Sequence, residues 1–297
     1  MIRIRGMMES LKGMDALEAL ARRFPQLYVA PAEGAQDVHR LAAGQGIAPE
    51  GATLSHFEGS PQDELREVDT PAGPIEVLFL ERRGDFETFL QIIGHKSSPV
   101  PIARTVGAIT YRGIPDWGKV ADACAAYVAS GGDDWGAEFA RLAKEPGAFR
   151  SELVVISEGP YSNVPAAETP YGPEEWVHVS REIRLHHECA HVVCRRTMPE
   201  DVLPVWDEVT ADVVGLLAAT GRYDAALASR FLGVSEEGFS DGRLAEYLND
   251  EQKARIDEVA AEVHDACVRI ERMSGPAEAA DPFAFLLDLK RAPMLAF

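Results

Sequence analysis

The sequence has few basic residues and no long apolar run. Its 297 residues include 29 Lys and Arg against 48 Asp and Glu, which gives a formal net charge of −19. Nucleic acids and anionic membrane surfaces are bound through clustered Lys and Arg, so this balance argues against both as main partners. No stretch reaches the roughly eighteen apolar residues of a membrane-spanning helix.

Cysteine is also scarce. The four cysteines, at positions 124, 189, 194 and 267, show no C-x-x-C spacing and do not resemble a disulfide framework. The first residues lack the apolar core and small-residue cleavage site of a signal peptide. We therefore predict a cytoplasmic globular protein with reduced thiols. With 46% hydrophobic residues, the chain can fill the core of one large domain or two ordinary ones.

The most informative stretch is residues 173–196, which contains an H-E-x-x-H motif at 187–191. A proline at its start, acidic residues in its first turn and two arginines near its end predict a helix. Residues four apart share a helical face, so His187 and His191 point toward one place, while Glu188 can reach a water bound there. This pattern predicts a zinc site with a general base.

A third ligand is expected downstream. Glu208 is a carboxylate candidate, and Asp212 follows it by one helical turn. Catalytic zinc commonly takes two histidines and one glutamate, and ligating histidines usually donate their second N–H to a carboxylate. Two alternatives remain open for the third ligand. Cys194 shares the helical face of the two histidines, and Asp207 is adjacent to Glu208.

Together, H-E-x-x-H and the later E-x-x-x-D at 208–212 resemble the gluzincin metallopeptidases, the thermolysin-like branch of the zincins. The resemblance covers about residues 153–212. It implies zinc ligation by His187, His191 and Glu208, general-base catalysis by Glu188, and orientation of a ligand histidine by Asp212.

The sequence departs from the best-known gluzincins in two respects. Only 17 positions separate His191 from Glu208, and no clear counterpart of their downstream histidine motif is present. His264, on a predicted C-terminal helix, could stabilise the oxyanion in its place, or could be structural. In the loop before the zinc helix, Tyr161 and Tyr171 could line a cleft or simply pack within the loop.

The predicted fold class is α+β and zincin-like, with a mixed α/β region at 1–148 and a metal-binding region with a helical C-terminal lobe at 149–297. The resemblance implies a sheet whose edge strand binds an extended peptide. Residues 153–157 are a candidate for that sheet, at its edge or inside it. Periodicity and turn residues predict helices at 7–23, 37–43, 85–93, 117–130, 134–144, 208–220, 225–232 and 251–273, and strands at 27–29, 74–80, 106–111 and 153–156.

These features predict a zinc-dependent hydrolase, specifically a metallopeptidase that acts on a peptide or protein substrate by Glu-assisted attack of zinc-bound water. The alternative is a non-catalytic, zincin-like zinc-binding protein with a regulatory or binding role. A third interpretation is a chance motif whose histidines are satisfied by local hydrogen bonds.

Overall fold

The chain folds into two units, each built around its own core. One unit comprises residues 1–68 and 76–157, and the other comprises residues 69–75 and 158–297. Together they combine helices with a mixed sheet, an α+β arrangement. The structure is a computed structural model that describes residues 11–104, 106–198, 203–292 and 294–295.

The first unit contains a five-stranded sheet with the strand order β1-β2-β3-β5-β4. β3 and β5 run parallel, whereas β4 is antiparallel to β5 and β1 is antiparallel to β2. β3 and β5 are buried along most of their length, as their Val, Leu and Ile content predicts. The strands are β1 (Leu11–Lys12), β2 (Glu64–Val68), β3 (Ile75–Leu80), β4 (Ala108–Pro115) and β5 (Arg150–Ser157).

Helices complete the first unit. The buried faces of its first and third helices pack with the sheet residues into one apolar core that includes Leu17, Leu20, Phe86, Phe89 and Val155. The helices are α1 (Met14–Arg23), α2 (Gln36–Gln45), α3 (Arg83–Ile93), α4 (Trp117–Ala129) and α5 (Trp135–Leu142).

Several sequence predictions for this unit need correction. The strand expected at 27–29 is wrong: Pro25–Tyr28 forms a 3-10 helix, because a proline at the first helical position presets the backbone for a turn. The helix expected at 7–23 begins only at Met14, and residues 7–10 lie outside the described part. β5 lies between β3 and β4, so it is an interior strand. Its pairing also places the boundary between the units after Ser157 rather than at 148.

The second unit is almost entirely helical, as predicted for the C-terminal lobe. Its one sheet among the described residues has two short strands. No helix in the described ranges is long and apolar enough to cross a membrane. Its elements are α6 (Pro173–Thr197), α7 (Pro204–Thr220), α8 (Ala225–Leu232), β6 (Val234–Ser235), β7 (Gly238–Phe239), α9 (Asp250–Lys253), α10 (Ile256–Met273), α11 (Pro276–Ala280) and α12 (Pro282–Arg291).

α6 and α7 pack against each other as an antiparallel pair. Glu208 on α7 lies beside His191 on α6, and Asp212 lies beside His187. Further along α7, Gly215 lies beside Ile183, so the two helices run in opposite directions. A Cβ atom added at Gly215 would lie 2.8 Å from the Ile183 carbonyl oxygen. Gly215 therefore permits the close approach of the two helices.

Replacing Gly215 with alanine should destabilise the second unit. The added methyl group would push against backbone on α6, and overpacking of this kind typically lowers the free energy of unfolding by about 1–3 kcal/mol. Gly44→Ala is the control: that glycine also lies in a helix, but no atom would approach its Cβ within 4 Å. Alanine there should stabilise its helix by up to about 1 kcal/mol. Urea unfolding that gives equal effects for both variants would contradict this account of the contact.

Candidate metal centre

Three potential ligand atoms converge between α6 and α7. The Nε2 atoms of His187 and His191 lie 3.0 Å apart; His187 Nε2 is 3.4 Å from Glu208 Oε2, and His191 Nε2 is 3.4 Å from Glu208 Oε1. A tetrahedral zinc ion with bonds of about 2.0–2.1 Å separates its ligand atoms by roughly 3.3–3.4 Å. The three side chains could therefore hold a metal ion with little rearrangement.

The opposite edge of each imidazole faces an aspartate. His187 Nδ1 lies 2.8 Å from Asp212 Oδ1, and His191 Nδ1 lies 2.7 Å from Asp207 Oδ2. A carboxylate accepts hydrogen bonds, so each Nδ1 carries the proton and each Nε2 presents a lone pair. In the neutral imidazoles, two nitrogen lone pairs and the Glu208 carboxylate thus face one another, and a proton or a metal cation between them would stabilise this arrangement.

The electrostatics of the site favour positive charge at its centre. Burial alone would lower the pKa of His187, but the carboxylates of Asp212 and Glu208 raise it to about 10. Burial would raise the pKa of Glu208, yet the two histidines and Arg243 hold it below its usual value. With no metal bound, a proton on His187 supplies part of the positive charge that the ligands attract.

Asp212 is fully buried and bonded at both oxygens. Its Oδ1 accepts hydrogen bonds from His187 and, at 2.5 Å, from the hydroxyl of Tyr161. Its Oδ2 accepts one from Arg243 at 2.6 Å. Against the effect of burial, Arg243 and His187 lower the pKa of Asp212 to about 2. Asp212 thus has the contacts expected of a residue that orients His187, and both of its oxygens are already hydrogen-bonded.

The two alternatives for the third ligand do not join the converging group. Asp207 faces His191 Nδ1, on the side of the ring away from Glu208. Asp207 Oδ2 accepts a hydrogen bond from that nitrogen, and Asp207 Oδ1 accepts one from the ammonium of Lys290. Cys194 is buried, and its sulfur does not belong to the group of ligand atoms that converge with the two histidines. Among the described residues, Glu208 is the carboxylate that completes the set.

The two predicted catalytic residues occupy different surroundings. Glu188 is half-buried on α6, directly after His187. His264 lies on α10, where its Nδ1 is 3.0 Å from Ser229 Oγ on α8. Within the described ranges, the polar contacts of the three converging side chains do not include His264. Its role in stabilising an oxyanion therefore stays a prediction, without support from these contacts.

Three supporting side chains come from outside the motifs. The loop residue Tyr161, predicted to line a cleft or pack locally, is buried against His187 and Asp212. Arg243 comes from a 3-10 helix at Arg243–Tyr247, and no sequence pattern pointed to it. Lys290 does have a signal in the sequence, since it interrupts the apolar face of a C-terminal helix.

The shifted pKa of Asp212 predicts a specific acid sensitivity of the metal-free protein. A carboxyl group with a folded-state pKa near 2 stabilises the fold above its unfolded-state value of about 3.9, and this contribution is lost as the pH falls toward 2. Between those values it should change the free energy of unfolding by at most about 1.4 kcal/mol per pH unit.

This dependence can be measured by urea unfolding with a chelator present, at pH values from 5 downward. Asp212→Asn should show a shallower loss of stability below pH 4 than the wild type. Asp37→Asn, which removes an exposed carboxylate on α2, is the control for the loss of one acidic group. Parallel curves for wild type and Asp212→Asn would exclude Asp212 as the source of the acid sensitivity.

Comparison with known proteins assigns the chain to a family. A family model described as "Family of unknown function (DUF7005)" matches residues 8–279, a range that contains all three converging side chains and Asp212 but not Lys290. Searches of curated proteins and of solved structures give no match. Because the family match covers most of the sequence, the chain belongs to this family of unknown function.

Proposed function

We propose that this protein is a zinc-dependent hydrolase of the zincin-like type, specifically a metallopeptidase. The observation that supports this most directly is the convergence of His187, His191 and Glu208, with an aspartate behind each imidazole. Two imidazoles and one carboxylate form a donor set of catalytic zinc and leave one position open. Calcium and magnesium prefer oxygen ligands, so this set favours zinc over them.

The chain's own residues divide the chemistry between them. His187, His191 and Glu208 would hold zinc, which when bound lowers the pKa of a coordinated water and polarises a substrate carbonyl. Glu188 accepts the proton of the attacking water and then donates it to the leaving amine. Asp212 and Asp207 keep both imidazoles in the tautomer that directs Nε2 inward.

The proposed substrate is a peptide or protein, and the proposed location is the cytoplasm. All four cysteines are free, which fits a reducing compartment. The formal charge of −19 disfavours nucleic acid and anionic membranes as partners. The free cysteines and the net charge support the proposed location and class of partner, whereas the ligand geometry supports the proposed reaction class.

Metal content gives the first test of this proposal. Purified protein that is offered zinc and then dialysed should retain one equivalent per chain, because three converging ligands bind zinc tightly. His187→Ala and His191→Ala should each retain much less. His186→Ala is the matched control, since that neighbouring histidine points to the Glu182 carbonyl oxygen and should leave zinc content unchanged. Substoichiometric zinc in the wild type would remove the metal centre and the proposed function with it.

Substitution of Glu188 by glutamine tests catalysis separately from metal binding. Glutamine keeps the shape of the side chain but cannot accept the proton, so turnover should fall by at least the roughly 10²–10⁴-fold typical of general acid–base catalysis. Zinc content and unfolding midpoint should match the wild type. The assay compares both proteins, at equal zinc content, on a library of peptides.

The outcomes of this assay separate the candidate functions. Equal cleavage by wild type and Glu188→Gln would exclude Glu188 as the base. Zinc binding without cleavage of any peptide or other acyl substrate by the wild type would favour the non-catalytic alternative, a zincin-like protein whose metal serves binding or regulation.

A further inference from the structure

The C-terminal helix α12 carries a lysine on its buried face. Phe283 and Leu286 are buried there, and Lys290 follows at helical spacing, with only 1% of its side chain exposed. An apolar residue would be the ordinary choice at this position. Burial of an ammonium group is strongly unfavourable unless the charge is paired, so the partner of Lys290 explains its presence.

That partner belongs to the candidate metal centre. The Lys290 ammonium donates to Asp207 Oδ1, while Asp207 Oδ2 accepts from His191 Nδ1 at 2.7 Å. A single carboxylate therefore connects α12 to one of the two histidines that converge with Glu208. α12 also packs against both α6 and α7, the helices that carry these side chains.

The other histidine has an equivalent arrangement. Asp212 lies between His187 and the guanidinium of Arg243, with one oxygen bonded to each. Each aspartate is thus held by an imidazole on one side and a cation on the other. The difference is exposure: the Asp212 side chain is 1% exposed, whereas that of Asp207 is 33% exposed. Without Lys290, Asp207 could turn toward water and release His191.

From this geometry we propose that Lys290 is a positioning residue, which sets the orientation of His191 through Asp207. The inference rests on the proposed metal centre and adds a consequence to it. If the docked α12 strengthens metal binding, then by thermodynamic linkage the bound metal must stabilise the docking of α12 to the same extent. The C-terminal helix is therefore part of the metal centre's support, although none of its residues is a ligand.

The test measures zinc affinity by competition with a chromophoric chelator. Lys290→Met should weaken zinc binding about 10–100-fold, the usual effect of removing a group that supports a ligand. Arg291→Met removes the same charge from the adjacent position, but Arg291 is 65% exposed and pairs with Asp288. Its zinc affinity should equal that of the wild type.

A double-mutant cycle distinguishes positioning from a general structural effect. In an Asp207→Asn background, Lys290→Met should cause little further loss of zinc affinity, because the connection to His191 is already broken. Full additivity of the two losses would overturn the proposal. Equal zinc affinity in Lys290→Met and the wild type would also overturn it, while leaving the metal centre intact. Failure of the wild type to bind zinc would instead refute the proposed function, and the inference with it.

Hydrogen exchange of the wild-type protein supplies a test that needs no variant. Zinc should slow amide exchange in α12 more than in α10, which belongs to the same unit and carries none of the connected side chains. The comparison is between protein with zinc and protein with a chelator. Unchanged exchange in α12 on zinc binding would contradict the coupling even if Lys290→Met fails to fold.

Discussion

The second unit depends on a largely buried group of acceptor atoms that face one another, which is stable only with positive charge within it or beside it. His187 Nε2 and His191 Nε2 lie 3.0 Å apart, each lies 3.4 Å from a different oxygen of Glu208, and two further carboxylates lie directly behind the imidazoles. Buried charges persist only when they are paired. Arg243 and Lys290 pair with the two aspartates from the outside, and the proposed zinc ion would supply positive charge at the centre.

The spacing of the motifs follows from the helix pair that presents them. His191 lies 6 residues before the end of α6 at Thr197, and Glu208 lies 4 residues after the start of α7 at Pro204. At 1.5 Å per residue, these positions are about 9 Å and 6 Å from the connection. In an antiparallel pair they therefore lie nearly level. The interval of 17 positions between His191 and Glu208 thus fits their placement at the adjacent ends of two successive antiparallel helices.

The sequence alone predicted the parts of the site that depend on local periodicity. α6, α7, the three converging side chains and the aspartate behind His187 all follow from helical spacing of three or four residues. Arg243 could not be predicted in this way, because it reaches Asp212 from 31 positions away. Long-range sheet pairing could not be predicted from local patterns either. The sequence analysis assigned β5 to the metal-binding region, whereas β5 pairs with β3 and β4 in the sheet of the first unit.

The two sides of the centre differ in how water can affect them. The side chain of His187 is 6% exposed and its aspartate is enclosed, whereas the side chain of His191 is 18% exposed and its aspartate is partly solvated. The His191 side of the centre is therefore the more exposed of the two. The cation behind its aspartate also comes from farther away in the sequence. Lys290 is 83 positions from Asp207, whereas Arg243 is 31 positions from Asp212. The more exposed side is thus connected to α12, the last helix among the described residues, so the orientation of His191 is tied to the docking of that helix.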